Sequence, residues 1–142
     1  LYNEDLVNSL LDSTVHGLRT LIPGITVNIY RVPGAFEIPV CVKKLIESNN
    51  IDVMIALGVI IKGETSHAEL VGSSVTQSLQ EIATNFNTPI IHEVLLTENR
   101  EQAIERCKGD KNRGTEAAKA AATMSELFTS LDAANKRTPQ LS

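Results

Sequence analysis

The sequence predicts an α/β fold in which a parallel sheet is covered by helices on both faces. Three observations lead there. Strand-like and helix-like segments alternate along the chain, as βαβ units require. Val53 to Ile61 (VMIALGVII) is an apolar run without polar alternation, as expected of a strand buried on both faces. That run breaks at Gly63-Glu64-Thr65-Ser66-His67 and passes into a helical pattern with Leu70, Val71, Val75 and Leu79 on one side. A chain of 142 residues suits one domain with a sizeable core, read here as residues 1–142 with a polar tail from Asp132.

Taken in order, Asn3 is placed to cap a first helix, with Glu4 and Asp5 favourable in its first turn. Leu6, Leu10, Val15 and Leu18 carry that helix to about Thr20, and Pro23-Gly24 stops it. Ile25 to Val32 (ITVNIYRV) is rich in β-formers with partial alternation and predicts a strand. Val32-Pro33-Gly34 then turns the chain. Pro39 is tolerated in the first turn of a second helix, which runs to about Ser48 and closes at Asn49-Asn50. The helix that begins at His67 or Ala68 frays near Asn85-Phe86-Asn87, and Pro89 to Leu96 (PIIHEVLL) predicts the next strand. Asn99 followed by Gln102 resembles a capping box and opens a short helix to about Cys107. After the polar loop Lys108–Asn112, Arg113 to Leu131 is Ala-rich and strongly helical. The residues from Asp132 are expected to fray.

A formal net charge of −4 gives no basic surface on which to expect nucleic acid. No apolar run is long enough to span a bilayer, and no secretory pattern opens the sequence. Cys41 and Cys107 fall in helical patterns without metal-type spacing, so reduced thiols in a cytoplasmic protein are the simplest account.

Three loops should meet at the carboxyl ends of the strands: Pro33–Glu37, Lys62–His67 and Thr97–Asn99. The middle loop carries the most chemistry. The free N–H groups of the following helix start favour an anion, Thr65 and Ser66 add hydroxyls, and His67 suits proton transfer near neutral pH. Gly58-x4-Gly63-Glu64-Thr65 is one residue away from a Walker-type phosphate loop. Glu64 stands where that loop needs its lysine and would repel phosphates, and Lys62 is displaced, which argues against nucleotide triphosphate hydrolysis.

At these loops the sequence resembles the 6,7-dimethyl-8-ribityllumazine synthase family. The matching stretches are VPGAFEIP (Val32–Pro39), ALGVIIKGETSHAELV (Ala56–Val71), LLTENREQAIER (Leu95–Arg106) and KNRGTEAAKAAATM (Lys111–Met124), which together span nearly the whole chain. The resemblance implies a flavodoxin-like three-layer α/β/α sandwich with a parallel sheet. It implies a transferase of riboflavin biosynthesis that condenses 5-amino-6-(D-ribitylamino)uracil with 3,4-dihydroxy-2-butanone 4-phosphate. Phosphate and water are released, and no metal or redox cofactor is used. By the same resemblance Ala35, Phe36 and Glu37 bind the ribityl side of the pyrimidine, and backbone groups of Val59, Ile60 and Ile61 hold the uracil. Glu64 and Thr65 contact the butanone phosphate, Arg106 clamps that phosphate, and His67 transfers protons. His92 falls where the family often has an aromatic covering the ring, Tyr2 where an aromatic stacks on the uracil, and Arg113 lines the pocket.

The resemblance further implies a homo-oligomer with sites at subunit interfaces, Arg106 and His92 facing the neighbour. The loop Lys108–Arg113 is slightly shorter than in shell-forming members, which tilts the expectation to a plain pentamer. The Ala-rich helix from Arg113 would allow close packing between subunits. Family members also carry a central strand before the Tyr2 position; without it a sheet leaves backbone groups unpaired, so such a strand is expected upstream.

Each residue also has a plainer reading. His67 could only cap its helix, Glu37 could serve the helix dipole, and Arg106 could be a solvated charge at a helix end. Phe36 is by default a core residue. His92 is evenly a satisfied core histidine or a pocket residue, and Arg113 either lines the pocket or caps the last helix. His16 is placed on the surface. A metal site from His67, His92, Cys41 or Cys107 fits no standard spacing. Other functions on the same fold are a non-catalytic flavin- or phosphate-binding module and a purely structural oligomer subunit.

Overall fold

The computed structural model describes residues 3–137. Its elements are α1 (Glu4–Leu21), α2 (Ile38–Ser48), β1 (Met54–Ile61), α3 (Ala68–Phe86), β2 (Ile90–Thr97), α4 (Arg100–Lys108) and α5 (Arg113–Arg137), with 3-10 turns at Ala35–Glu37 and Lys62–Glu64. β1 and β2 pair in parallel from Met54 opposite Ile90 to Ile61 opposite Thr97. Both strands therefore end at one level and deliver their loops side by side.

The alternation of side chains across the strands sorts the helices into two layers. Ala56 and Ile60 of β1 and Val94 of β2 pack with Ile38 and Val42 of α2 and with Val75, Leu79 and Ile82 of α3. On the other face, Val59, Ile61 and Leu95 pack with Leu6 and Leu10 of α1 and with Ala103 and Cys107 of α4. Ile55 and Ile91 meet Leu18 of α1 and Ala118 and Ala121 of α5. A strand apolar on both sides is what a three-layer α/β/α sandwich with a parallel sheet needs, and the unbroken run of β1 reflects it.

Ile25–Val32 forms no strand, contrary to its composition. Ile25 and Val27 pack near Leu18 and Ile55, and Val32 lies against the α2/α3 core. Between this segment and β1 runs a groove of about 770 Å³ whose walls include Val27, Ile29, Val32, Ile55 and Leu57. A strand is defined by a neighbour at roughly 4.8 Å with which to exchange hydrogen bonds. Among the described residues no strand lies beside this segment, and the groove runs along it.

Three local readings also change. Asn3 occupies the N-cap position of α1 in the left-handed region (φ 56°) but its side chain does not cap. Instead its amide donates to the carbonyl of Val59 at 3.1 Å, tying α1 to β1. Asn99 does cap α4, accepting from the Gln102 amide at 2.8 Å, while Gln102 reaches past it to the N–H of Glu98. The final helix continues through Asp132 to Arg137 instead of fraying.

The small residues of α5 serve this chain's own packing. Ala117, Ala118 and Ala121 are fully buried. A methyl group at Gly17 of α1 would lie 2.7 Å from the Ala118 Cβ, and one at Gly114 of α5 would lie 2.5 Å from the Leu10 carbonyl oxygen. Close approach between helices is thus realised between α1 and α5, not reserved for a neighbouring subunit.

Candidate active site

The strand ends bring most of the sequence-derived residues together. The turn Ala35–Glu37 follows Val32–Gly34 and sits beside α3 and β1, with Ala35 packed on the α2/α3 core. Phe36 is exposed, not a core residue. A Cβ at Gly34 would meet a Glu37 carboxylate oxygen at 3.3 Å, so Glu37 folds back over the glycine and does not cap α2. Of the backbone groups expected to hold a ligand, the Val59 carbonyl is engaged by Asn3 and the Ile60 carbonyl by the buried Thr97 hydroxyl at 3.2 Å. Val59, Ile60 and Ile61 themselves are buried.

The loop Lys62–His67 is exposed apart from the half-buried Lys62. His67 sits at the N-cap position of α3 without capping it, and its own N–H donates to the Thr65 hydroxyl at 3.3 Å. The imidazole of His67 is exposed and makes no hydrogen bond among the described residues. It faces solvent at the start of a helix of 19 residues, whose terminal N–H groups attract negative charge.

Ion pairs surround the loop. Lys62 contacts Glu98 at 2.8 Å and Glu69 at 3.3 Å. Hydrogen bonds to Glu98 and then Glu69 hold the Lys62 ammonium above its ordinary pKa. Arg100 contacts Asp5 at 3.2 Å, Glu64 at 3.8 Å and the Asn3 side-chain oxygen at 3.5 Å. Glu64, read from sequence as a phosphate contact, is thus turned to Arg100. Arg100 was not singled out from the sequence, yet a signal was there. A cation at the first position of a helix opposes the dipole, and such a placement needs partners.

The other sequence-derived residues lie apart from this loop and from one another. His92 is half-buried on the α3-facing side of β2, with Nε2 2.8 Å from the Thr76 hydroxyl and Nδ1 accepting from the Val94 N–H at 3.1 Å. Burial pushes its pKa below the ordinary value, partly opposed by a backbone hydrogen bond. Glu93 projects to the opposite face. Burial raises its pKa, and the charge of Arg113 opposes that rise. Arg113 is exposed at the start of α5, and Arg106 is half-buried in the last turn of α4, roughly 9 Å along the axis from Arg100. No hydrogen bond or ion pair ties Arg106 or Arg113 to the loop around His67. Tyr2 lies outside the described residues. His16 is exposed, as read.

Cys107 is fully buried and its thiol is pushed up to about 11, chiefly by burial, whereas Cys41 is half-buried. Among the described residues no three His, Cys, Asp or Glu side chains gather as a metal site would need, and no helix is long and apolar enough to cross a membrane.

Comparison with known proteins bears on the same loops. The family described as 6,7-dimethyl-8-ribityllumazine synthase matches residues 1–129. The chain belongs to that family. It is 45% identical over 132 residues to a protein of Burkholderia mallei named 6,7-dimethyl-8-ribityllumazine synthase, covering 92% of this chain and 75% of that protein. A Burkholderia pseudomallei protein of the same name is equally similar, with the same coverage. One from Burkholderia multivorans is 43% identical over 132 residues, again covering 92% and 75%. None of these matches speaks for the non-catalytic binding module. His67, Thr65, Glu64 and Ala35–Glu37 gather at the strand ends, whereas His92 lies on the α3-facing side of β2 and Arg106 and Arg113 lie at the end of α4 and the start of α5.

Proposed function

We propose that this chain catalyses the condensation of 5-amino-6-(D-ribitylamino)uracil with 3,4-dihydroxy-2-butanone 4-phosphate to 6,7-dimethyl-8-ribityllumazine. It acts as a single domain over residues 1–142, in the cytoplasm, in a ring of like subunits, most simply a pentamer. The strand-end group of one subunit and His92, Arg106 and Arg113 of its neighbour make up each site. Membership of the family supports the reaction. One observation carries the sharing of the site. Around the start of α3, four carboxylates (Asp5, Glu64, Glu69 and Glu98) are served by two cations, Lys62 and Arg100. A phosphate ester entering there meets a helix dipole but a net negative surround, so further cations must be brought to it. The chain carries Arg106 and Arg113 where its own loops do not use them.

Much of the rate comes from position. The amine and the ketone phosphate are held together, which alone removes a large part of the barrier. Phe36 and Ala35–Glu37 seat the ribityl side, backbone groups at Val59–Ile61 orient the uracil, and His92 covers the ring. The N–H groups at the α3 start, Thr65 and Arg106 hold the phosphate and stabilise it as it departs. His67, whose ring makes no hydrogen bond among the described residues, gives and takes protons as the imine forms with loss of water and as the ring closes. Glu64, tethered to Arg100, holds that guanidinium near the phosphate. No metal or redox cofactor takes part, so a chelator leaves turnover unchanged.

The test uses complementation. His67→Ala and Arg106→Ala are each impaired alone. Unfolded and refolded together in equal amounts, random mixing leaves about a quarter of the interfaces with both groups intact. Activity then rises above either parent, with mass in solution reporting co-assembly. Co-assembly with activity at the mean of the parents places both groups within one subunit and overturns the shared site. Absence of product absorbance with the unaltered chain overturns the reaction.

A further inference from the structure

His92 sits in a hydrogen-bond arrangement in which each ring nitrogen has a partner. The Val94 N–H donates to His92 Nδ1 at 3.1 Å, so Nδ1 carries a lone pair. The neutral ring then bears its proton on Nε2, 2.8 Å from the Thr76 oxygen. The Thr76 hydroxyl donates in turn to the Gly72 carbonyl at 2.8 Å, one turn back along α3. Its proton is thereby committed, and its lone pair is left to accept from Nε2. Rotating the imidazole by half a turn, or protonating Nδ1, would set a C–H or an N–H against the Val94 N–H. The ring is pinned at both nitrogens, one to its own strand and one to α3.

We propose that Thr76 is a positioning residue for the synthase reaction: its hydroxyl anchors Nε2 of His92 and fixes the plane of the imidazole that covers the pyrimidine. The inference rests on the shared-site reading above, which gives His92 that role. A hydrocarbon ring in this position is oriented by packing alone. A half-buried imidazole has two polar edges that must be satisfied, and it keeps one orientation only if both have partners. Val94 supplies one partner through the backbone. Thr76 supplies the other, and its hydroxyl is itself held by donating to the Gly72 carbonyl. Thr76 also lines a groove of about 450 Å³ with Gly72, Ser73, Gln77, Val94 and Leu96.

The test compares Thr76→Val, which keeps shape and loses the hydroxyl, with Thr76→Ser, which keeps the hydroxyl. Thr76 is exposed on α3, so both variants fold. Histidine-labelled full chain in its assembled form is observed by 15N–1H NMR, with His92→Phe used to assign the ring. The unaltered chain and Thr76→Ser show a His92 Nε2–H proton protected from solvent; Thr76→Val loses it to exchange. The KM for the pyrimidine substrate rises roughly fivefold in Thr76→Val, the worth of one neutral hydrogen bond, with kcat held. Thr76→Ser stays within twofold. A protected Nε2–H in Thr76→Val overturns the anchor. Loss of the proton with KM unchanged makes the contact structural only and overturns the positioning role. An unaltered chain that fails to turn over overturns the synthase reading and this role with it, while the NMR result still reports whether the anchor exists.

Discussion

Gly17→Ala pits helix propensity against a close contact between two helices. In the middle of α1 an alanine gains up to about 1 kcal/mol over glycine. The added Cβ would stand 2.7 Å from the Cβ of Ala118, whereas carbon atoms rest at roughly 3.5–4.0 Å. The helices must part by about 1 Å, and Ala118, Ala121 and Leu18 are buried where they part. Overpacking of this kind costs about 1–3 kcal/mol. With α1 also tethered through Asn3 to Val59, the upper half of that range applies, and the net loss is about 1–2 kcal/mol. Ala118→Gly loses a buried methyl, about 0.8 kcal/mol, and helix propensity of about 1 kcal/mol. The double variant moves one methyl from α5 to α1, so both costs largely cancel and stability returns near its starting value. The coupling between the two sites is then at the top of the range for touching residues, about 3 kcal/mol. Urea unfolding at one fixed protein concentration measures it, since association adds to apparent stability. A Gly17→Ala chain that is more stable than the parent, or a double variant that is merely additive, refutes the tight α1–α5 contact.

His67→Ala lowers turnover by up to about a hundredfold and leaves the urea midpoint unchanged, because the imidazole is exposed and makes no hydrogen bond among the described residues; full activity across the neutral range removes its role. With a thiol pKa near 11, Cys107 is about one part in a thousand thiolate at pH 8, so an alkylating reagent reaches it only after unfolding, as mass spectrometry of labelled peptides would show. Rapid native labelling of Cys107 contradicts the burial. His92 and Glu93 give stability opposite pH slopes. Burial lowers the His92 pKa, so the unfolded chain binds the extra proton, and stability is lost as pH falls below the ordinary value of 6.5. Burial raises the Glu93 pKa, so its contribution is whole below the ordinary carboxylate range and is lost as pH rises through the folded value. His92→Phe flattens the first slope and Glu93→Gln the second; an unchanged urea midpoint profile in either variant refutes the corresponding shift.

The fold class was legible because it is written in the commonest physical signals. The non-alternating run of β1, the caps at Asn99 and the breaks at Pro23-Gly24 and Gly63 are local, and local signals survive into the fold. Ile25–Val32 was misread because strand formation is a property of pairs. Its β-forming residues specify a willing partner and say nothing of whether a ladder neighbour stands beside them. Asn3 was misread in a similar way. As a cap it would act on its own helix, but in the left-handed region its amide points to β1, a partner more than fifty positions away. The Ala-rich face of α5 was legible as a close-packing surface, but its partner was not, since small residues invite any helix. At the site, the Gly63–His67 loop announced itself by type and spacing. Arg100 and Thr76 matter through partners on other elements and left only the faint mark of a cation at a helix start and a hydroxyl on an exposed turn.

The ion pairs around that loop do not hold it in place. Their side chains are 32–76% exposed, and pairs of that kind contribute at most about 1 kcal/mol each. What fixes the loop is below it: Ile61 and Thr97 end their strands buried and in register, Thr97 is fully enclosed and bonded to Ile60, and Ala68 starts α3 buried against the core. The loop is therefore rigid at its roots and polar at its surface. The pairs have a different consequence. Without Lys62 and Arg100, four carboxylates would present bare negative charge to the start of α3 and cancel the attraction of its N–H groups for an anion. With them the repulsion is halved but not removed. Four carboxylates against two cations leave a net negative surround at the start of α3, which weakens the attraction of its N–H groups for an anion.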